Sequence, residues 1–217
     1  MTYIRGDAPL FDSWEELGNP GWNWASLLPY YKKSEKYTIP NPEQLAAGAT
    51  YESEYHGFAG HLDTGYVNTL TNGSAAQPVL QTWASFGLPH NPDINRGVVR
   101  GYGMGPQTIN PALGLRWDSA RAYYHPVEGR TNLKILQGTV KRITWTADKG
   151  RRRRCDAELV VASGVEYLTA DGKTEVLKAK KEVVVSAGAA RTPLVLESSG
   201  IGNPRFVLDA PNLSVQC

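Results

Sequence analysis

Near the end of the chain a run of valines, Val183-Val184-Val185, meets five small residues, Ser186-Ala187-Gly188-Ala189-Ala190. Arg191-Thr192-Pro193 follow, then a short apolar run closed by Ser199-Gly200-Ile201-Gly202. The pattern predicts a buried strand, a tight turn and a helix. Thr192 suits a helix cap, Pro193 a first helical turn and Gly200 a left-handed end. Such a corner lets a ligand's phosphate or sugar approach bare main chain near the positive end of a helix dipole. Taken alone it is also an ordinary turn between strand and helix, because small-residue turns are common.

Other reactive residue types are sparse. The four histidines are His56, His61, His90 and His125. His56, His61 and Asp63 are metal-ligand types, but glycines separate them and their spacing shares no helix face, so they read as loop residues. Ser119-Ala120-Arg121 is not a nucleophile elbow. Arg116 and Arg121 read as ion-pair partners, with a place lining a cofactor as the alternative. Cys155 and Cys217 have neither metal nor redox spacing. No catalytic residue and no metal site is assigned from these patterns.

The elements that would position the corner divide the chain. Residues 1–40 mix loops with short helices: one opened by Asp12 or Ser13 and stopped by Gly18, and one opened by Asn23 or Ser26 that ends at Lys32 and Lys33. A short helix is predicted at Pro42–Ala47. Another covers residues 76–88, where Val79, Leu80, Trp83 and Phe86 recur at helical spacing. Residues 89–115 read as loop with one strand near Gln107-Thr108-Ile109. Ser119–Tyr124 reads as a helix. From residue 132 the pattern turns to strands: Leu133–Leu136, Val140–Trp145, Leu159–Thr169 and Thr174–Ala179, with a hairpin turn at Ala170-Asp171-Gly172-Lys173. Asp148-Lys149-Gly150 and Arg151-Arg152-Arg153-Arg154 read as a solvated hairpin tip, with a polyanion or import patch as the alternative.

Composition sets outer limits. The chain has 217 residues, 41% hydrophobic and 20% charged, as a globular protein has. Its net charge is +2, and the four consecutive arginines account for the excess, so it carries no broad nucleic-acid footprint. No membrane-spanning run and no signal peptide is visible. Asn72-Gly73-Ser74 and Asn212-Leu213-Ser214 are glycosylation sequons, usable in a secreted protein.

The order Gly188-Ala189-Ala190-Arg191-Thr192-Pro193, then Ser199-Gly200-Ile201-Gly202, resembles the second signature of the glucose–methanol–choline (GMC) oxidoreductases. Glu197 departs from it, standing where that family has an apolar residue. Met1-Thr2-Tyr3-Ile4-Arg5-Gly6, Trp14–Asn19, Gly21–Trp24, Leu28–Glu35, His56-Gly57 with Gly60, Ser119–Tyr123 with Pro126, Asn132-Leu133 and Val140 follow in family order. The resemblance covers nearly the whole chain. Through Ala46–Tyr51 it is similar above all to the glucose oxidase and FAD-dependent glucose dehydrogenase branch.

The resemblance implies a mixed α/β (α+β) chain: an incomplete Rossmann-like domain binding flavin adenine dinucleotide (FAD), with part of a substrate-binding domain. Residues 1–39 and 128–217 would form the first, and 40–127 a linking segment and part of the second. It implies FAD contacts at Met1 and Thr2 beside the flavin ring, at Val140 near the adenine, and at Ser186, Ala187 and Gly188 near the ADP part. It implies a small alcohol or sugar as substrate, hydride transfer from its CH–OH group to flavin, and secretion. The family's G-x-G-x-x-G loop is missing, since Gly101-Tyr102-Gly103-Met104-Gly105 has other spacing, and no histidine matches the family's catalytic one. The chain therefore reads as an internal piece of a longer enzyme. The alternative is a non-catalytic remnant or binding module.

Overall fold

Asn23 and Asn41 each precede a stretch of helix formers, and each caps one. The computed structural model describes residues 2–71, 73–152 and 158–202. Met1, Asn72, Arg153, Arg154, Cys155, Asn212 and Cys217 lie outside the described residues. The chain divides into two compact units, Met1–Leu133 and Lys134–Cys217.

In the first unit, helix α1 spans Ala8–Glu16, with Asp7 extended before it and Pro9 in its first turn. It starts earlier than Asp12 or Ser13, because a proline at the first turn is pre-set for helical φ. Helix α2 spans Trp24–Ser34. The Asn23 side chain accepts from the Ser26 N–H at 2.8 Å, and Lys32 and Lys33 occupy the last turn. Phe11 is buried and meets Trp14, Trp24 and Tyr31 at ring-centre distances of 5.1, 5.6 and 5.9 Å. Strand β1 (Glu35–Tyr37) pairs in parallel with β2 (Leu62–Thr64). Helix α3 (Pro42–Ala46) carries a capping box in which Asn41 and Gln44 bond reciprocally. Helix α4 spans Ala76–Ser85. The core gathers Tyr37, Ala47, Ala49, Tyr66 and Leu70. Two short strands, β3 (Ile109–Asn110) and β4 (Leu115–Arg116), form an antiparallel ribbon. The predicted helix at Ser119–Tyr124 is present as a π-helix over Ala120–Tyr124, followed by a 3-10 turn at His125–Val127.

The second unit is an antiparallel meander of β5 (Gly138–Arg152), β6 (Glu158–Thr169) and β7 (Thr174–Lys178), with helix α5 (Gly188–Ser198) against β5. Asp148-Lys149-Gly150 is not the hairpin turn: β5 runs through it, and Arg152 is still in register with Glu158. A bulge interrupts β5 between Val140, opposite Tyr167, and Arg142, opposite Glu166. Two expected strands are absent. Leu133–Leu136 is irregular and Ile135 is 69% exposed. Val183–Val185 lies outside any sheet, and Val184 is 76% exposed. A strand requires a hydrogen-bonded neighbour, and among the described residues neither segment has one.

Candidate cofactor site

The small-residue corner borders a cavity of about 340 Å³ in the second unit. Val140 and Ile143 reach it from β5, Val165 from β6, and Val195 from α5, while Val185, Ser186 and Ala187 bring the corner itself. Register explains the meeting, since Ile143 faces Val165 across the β5–β6 pair. Helix α5 is fixed to β5 through Ser199. Its Oγ accepts from the Ile143 N–H at 2.8 Å, and its carbonyl accepts from Trp145 Nε1 at 2.8 Å.

The corner is open. A Cβ built on Gly188 would meet nothing within 4 Å, and Gly188 has a φ of +87° that glycine adopts without strain. Helix α5 starts at Gly188, not at the predicted Thr192 cap. Ala189 and Ala190, strong helix formers, extend it toward the N-terminus. Thr192 and Pro193 thus lie inside the helix, and Thr192 Oγ1 reaches back to accept from the Ala187 N–H at 3.0 Å.

Of the expected FAD contacts, Val140, Ser186 and Ala187 come together at this cavity, and Gly188 follows directly in the chain. Val140 is 47% exposed, so its flank is accessible. Thr2 lies elsewhere: its backbone bridges Gln107, and it lines a separate cavity of about 710 Å³ in the first unit with Leu80, Trp83, Ile94 and Met104. Met1 is outside the described residues. The residues at the smaller cavity fit the adenosine end of a dinucleotide. Their floor is apolar and suits a flat ring, and the main chain beside it is unscreened by side chains. They include no cation for a diphosphate. The run Gly101–Gly105 packs against chain instead: Tyr102 exchanges backbone bonds with Pro89 and Asn91 at 3.0 and 2.7 Å.

The first unit holds a cluster that reading along the sequence missed. Arg5, Glu35, His56 and Asp93 are all buried. Arg5 Nη2 donates to Glu35 Oε2 at 2.7 Å. His56 places Nδ1 3.0 Å from Glu35 Oε1 and Nε2 2.8 Å from Asp93 Oδ2. Thr64 Oγ1 and the Gly57 N–H also donate to Glu35, at 2.8 and 3.0 Å. The N–H groups of Glu52 and Asn95 donate to Asp93 at 2.9 and 2.8 Å. Arg5 further donates to the Tyr55 carbonyl. A side chain on Gly57 would collide with the Lys32 carbonyl, 1.7 Å from the Cβ position, so only glycine admits this approach.

Burial lowers the His56 pKa, but the bonds to Asp93 and Glu35 outweigh it and hold the ring above its ordinary value. Burial raises Asp93, and the His56 bond with the two main-chain donors outweighs that, leaving it low. Burial, first among several causes, pushes the Tyr66 phenol up to about 12. Among the described residues no group of His, Cys, Asp and Glu could hold a metal; His56 stands in a loop, as its neighbouring glycines suggest, and there it pairs with Glu35 and Asp93. The usable signal was indirect, because Arg5-Gly6, Ser34-Glu35 and His56-Gly57 each carry one member within a family-like segment. Arg121 pairs with Asp118 at 3.3 Å, as expected, and His125 pairs with Glu128 at 2.9 Å on the surface.

The family model of GMC oxidoreductases matches residues 1–213, and the chain belongs to that family. It is 63% identical over 192 residues to a glucose oxidase-like protein of Humicola fuscoatra, covering 88% of this chain and 32% of the relative. It is 35% identical over 220 residues to glucose oxidase 1 of Penicillium expansum, covering 98% and 34%. A solved FAD-dependent oxidoreductase of Chaetomium thermophilum superposes with a TM-score of 0.80 at 33% identity, over 94% of this chain and 33% of that one. The chain thus spans about a third of the length of the relatives it matches. Its mixed helix-and-sheet fold is that of a family of FAD-dependent flavoproteins with Rossmann-like cofactor domains. No described helix is long and apolar enough to cross a membrane.

Proposed function

We propose that this chain supplies part of the FAD cradle of an oxidoreductase acting on CH–OH groups of small alcohols or sugars. The observation that carries the reading is the convergence of Val140, Ser186 and Ala187 on one cavity beside an unobstructed Gly188. Family membership says which ligand to expect there. In this reading the Val140 flank takes one face of the adenine, while the main chain of Ser186, Ala187 and Gly188 lies along the adenosine. Thr2 and Met1 belong to the flavin end, and residues 1–39 and 128–217 to the cofactor domain. When bound, FAD provides an acceptor for the hydride that leaves the alcohol carbon. The residues of this chain contribute binding and exclusion of water, and none is assigned as the base. Secretion of the parent enzyme accords with the sequons.

One observation favours a second reading for the isolated chain, that of a binding module without turnover. No side chain bordering the cavity can titrate in the physiological range, so nothing there takes a hydroxyl proton. Titrating the labelled chain with ADP should shift the amide signals of Val140, Ser186, Ala187 and Gly188, and FAD should be retained on desalting. Unmoved signals at these four positions at millimolar ADP would sink the cradle. Oxidation of glucose or benzyl alcohol by the chain alone would sink the second reading.

A further inference from the structure

The buried cluster of the first unit has a proton count that its geometry fixes. A neutral imidazole has one N–H to donate, and its other nitrogen accepts. Both ring nitrogens of His56 face carboxylate oxygens at 2.8–3.1 Å. Every other polar contact on those carboxylates comes from a donor: Arg5, Thr64 and the Gly57 N–H on Glu35, and the Glu52 and Asn95 N–H groups on Asp93. With donors at every other contact, neither carboxylate has an acceptor toward which a proton of its own could point, so the geometry puts the protons on the ring. Charge agrees. Two cations, Arg5 and His56, balance two anions, Glu35 and Asp93. A neutral His56 would leave one buried negative charge unmatched, and an unmatched buried charge costs several kcal/mol.

We propose that His56 is a structural imidazolium that locks Glu35 to Asp93 and makes the fold of this unit sensitive to alkaline pH. The lock spans four separate stretches: the entry segment at Arg5, strand β1 at Glu35, the turn at His56 and the loop at Asp93. Tyr37 stacks on the ring at 3.9 Å, and Tyr51 lies 6.5 Å away, so from β1 and the preceding loop His56 meets aromatic faces rather than further charges. Neither Tyr37 nor Tyr66 competes in this range, since burial raises both phenols. The sign follows from His56 being more basic in the folded state than the ordinary value of about 6.5. Its stabilisation is complete below that value and is lost as pH rises through the folded-state pKa. The inference does not depend on the cofactor reading, and failure of FAD binding would leave it intact.

Histidine-labelled full-length chain at pH 7.5 tests it by nitrogen NMR, with His56→Gln assigning the ring. The His56 imidazole should carry two N–H protons. In thermal or urea unfolding, the unfolding constant should climb by up to about tenfold per pH unit above the ordinary histidine value, and the slope should vanish in His56→Gln. Should that variant not fold, Asp93→Asn provides the second arm: the ring should then lose its second proton at lower pH. A neutral His56 at pH 7.5 in the wild-type chain overturns the proposal. So does a protonated ring whose removal leaves the pH slope unchanged.

Discussion

The two units handle burial in opposite ways. Met1–Leu133 buries Arg5, Glu35, His56 and Asp93 together, with Asp63 besides, and satisfies most of the bonding capacity of the four, while an aromatic and alanine core lies alongside. Lys134–Cys217 leaves its most apolar run exposed at Val184, and Ile143 is its one buried hydrophobic residue among those described. The difference teaches that hydrophobicity alone does not decide what a segment buries. A segment rich in valine stays open without a hydrogen-bonding neighbour, and a charged quartet sits inside when every member has its counterpart.

Four substitutions probe this contrast. The largest effect is expected for Glu35→Ala, which strands Arg5 and His56 and should cost the first unit about 3–5 kcal/mol in urea unfolding. An unchanged midpoint would mean that the quartet contributes nothing. Ser199→Ala should weaken the second unit by about 1–3 kcal/mol, because the buried Ile143 N–H loses its acceptor. Faster hydrogen exchange at the Ile143 amide would locate the damage. Asn41→Ala removes the capping box of α3 and should cost about 1 kcal/mol. The smallest effect belongs to Val184→Lys: within about 0.5 kcal/mol of wild type, with less binding of an apolar dye. A large loss there would show that the valine run is packed in solution and would erase the contrast.

Local chemistry was legible in the sequence wherever a residue acts on its near neighbours. Asn23 caps α2 and Gly172 turns the β6–β7 hairpin, with a φ of +82°. The meander was readable from alternation in Val140–Trp145 and Leu159–Thr169, although the continuation of β5 through Asp148-Lys149-Gly150 was not, because these three residue types favour turns while the strand runs on to Arg152, opposite Glu158. The candidate cradle was half legible. The corner announced itself through small residues, but Thr192 as cap did not hold, since helix propensity in the two preceding alanines moved the start. The ion quartet was not legible from spacing. Its members are separated by 30, 21 and 37 positions along the chain, and no local pattern reports a contact made only by the fold.

The bulge at Lys141 has a consequence for insertions and deletions. Side chains of a regular strand alternate sides, so Val140 and Ile143, an odd number of positions apart, ought to point opposite ways. The extra residue resets the parity, and both valine and isoleucine end up bordering the same hollow. Removing Lys141 would leave Val140 and Ile143 two positions apart, the spacing that keeps both on one side of a regular strand, so loss of the bulged residue should leave both at the hollow, whereas one further residue inserted there should turn one of them away.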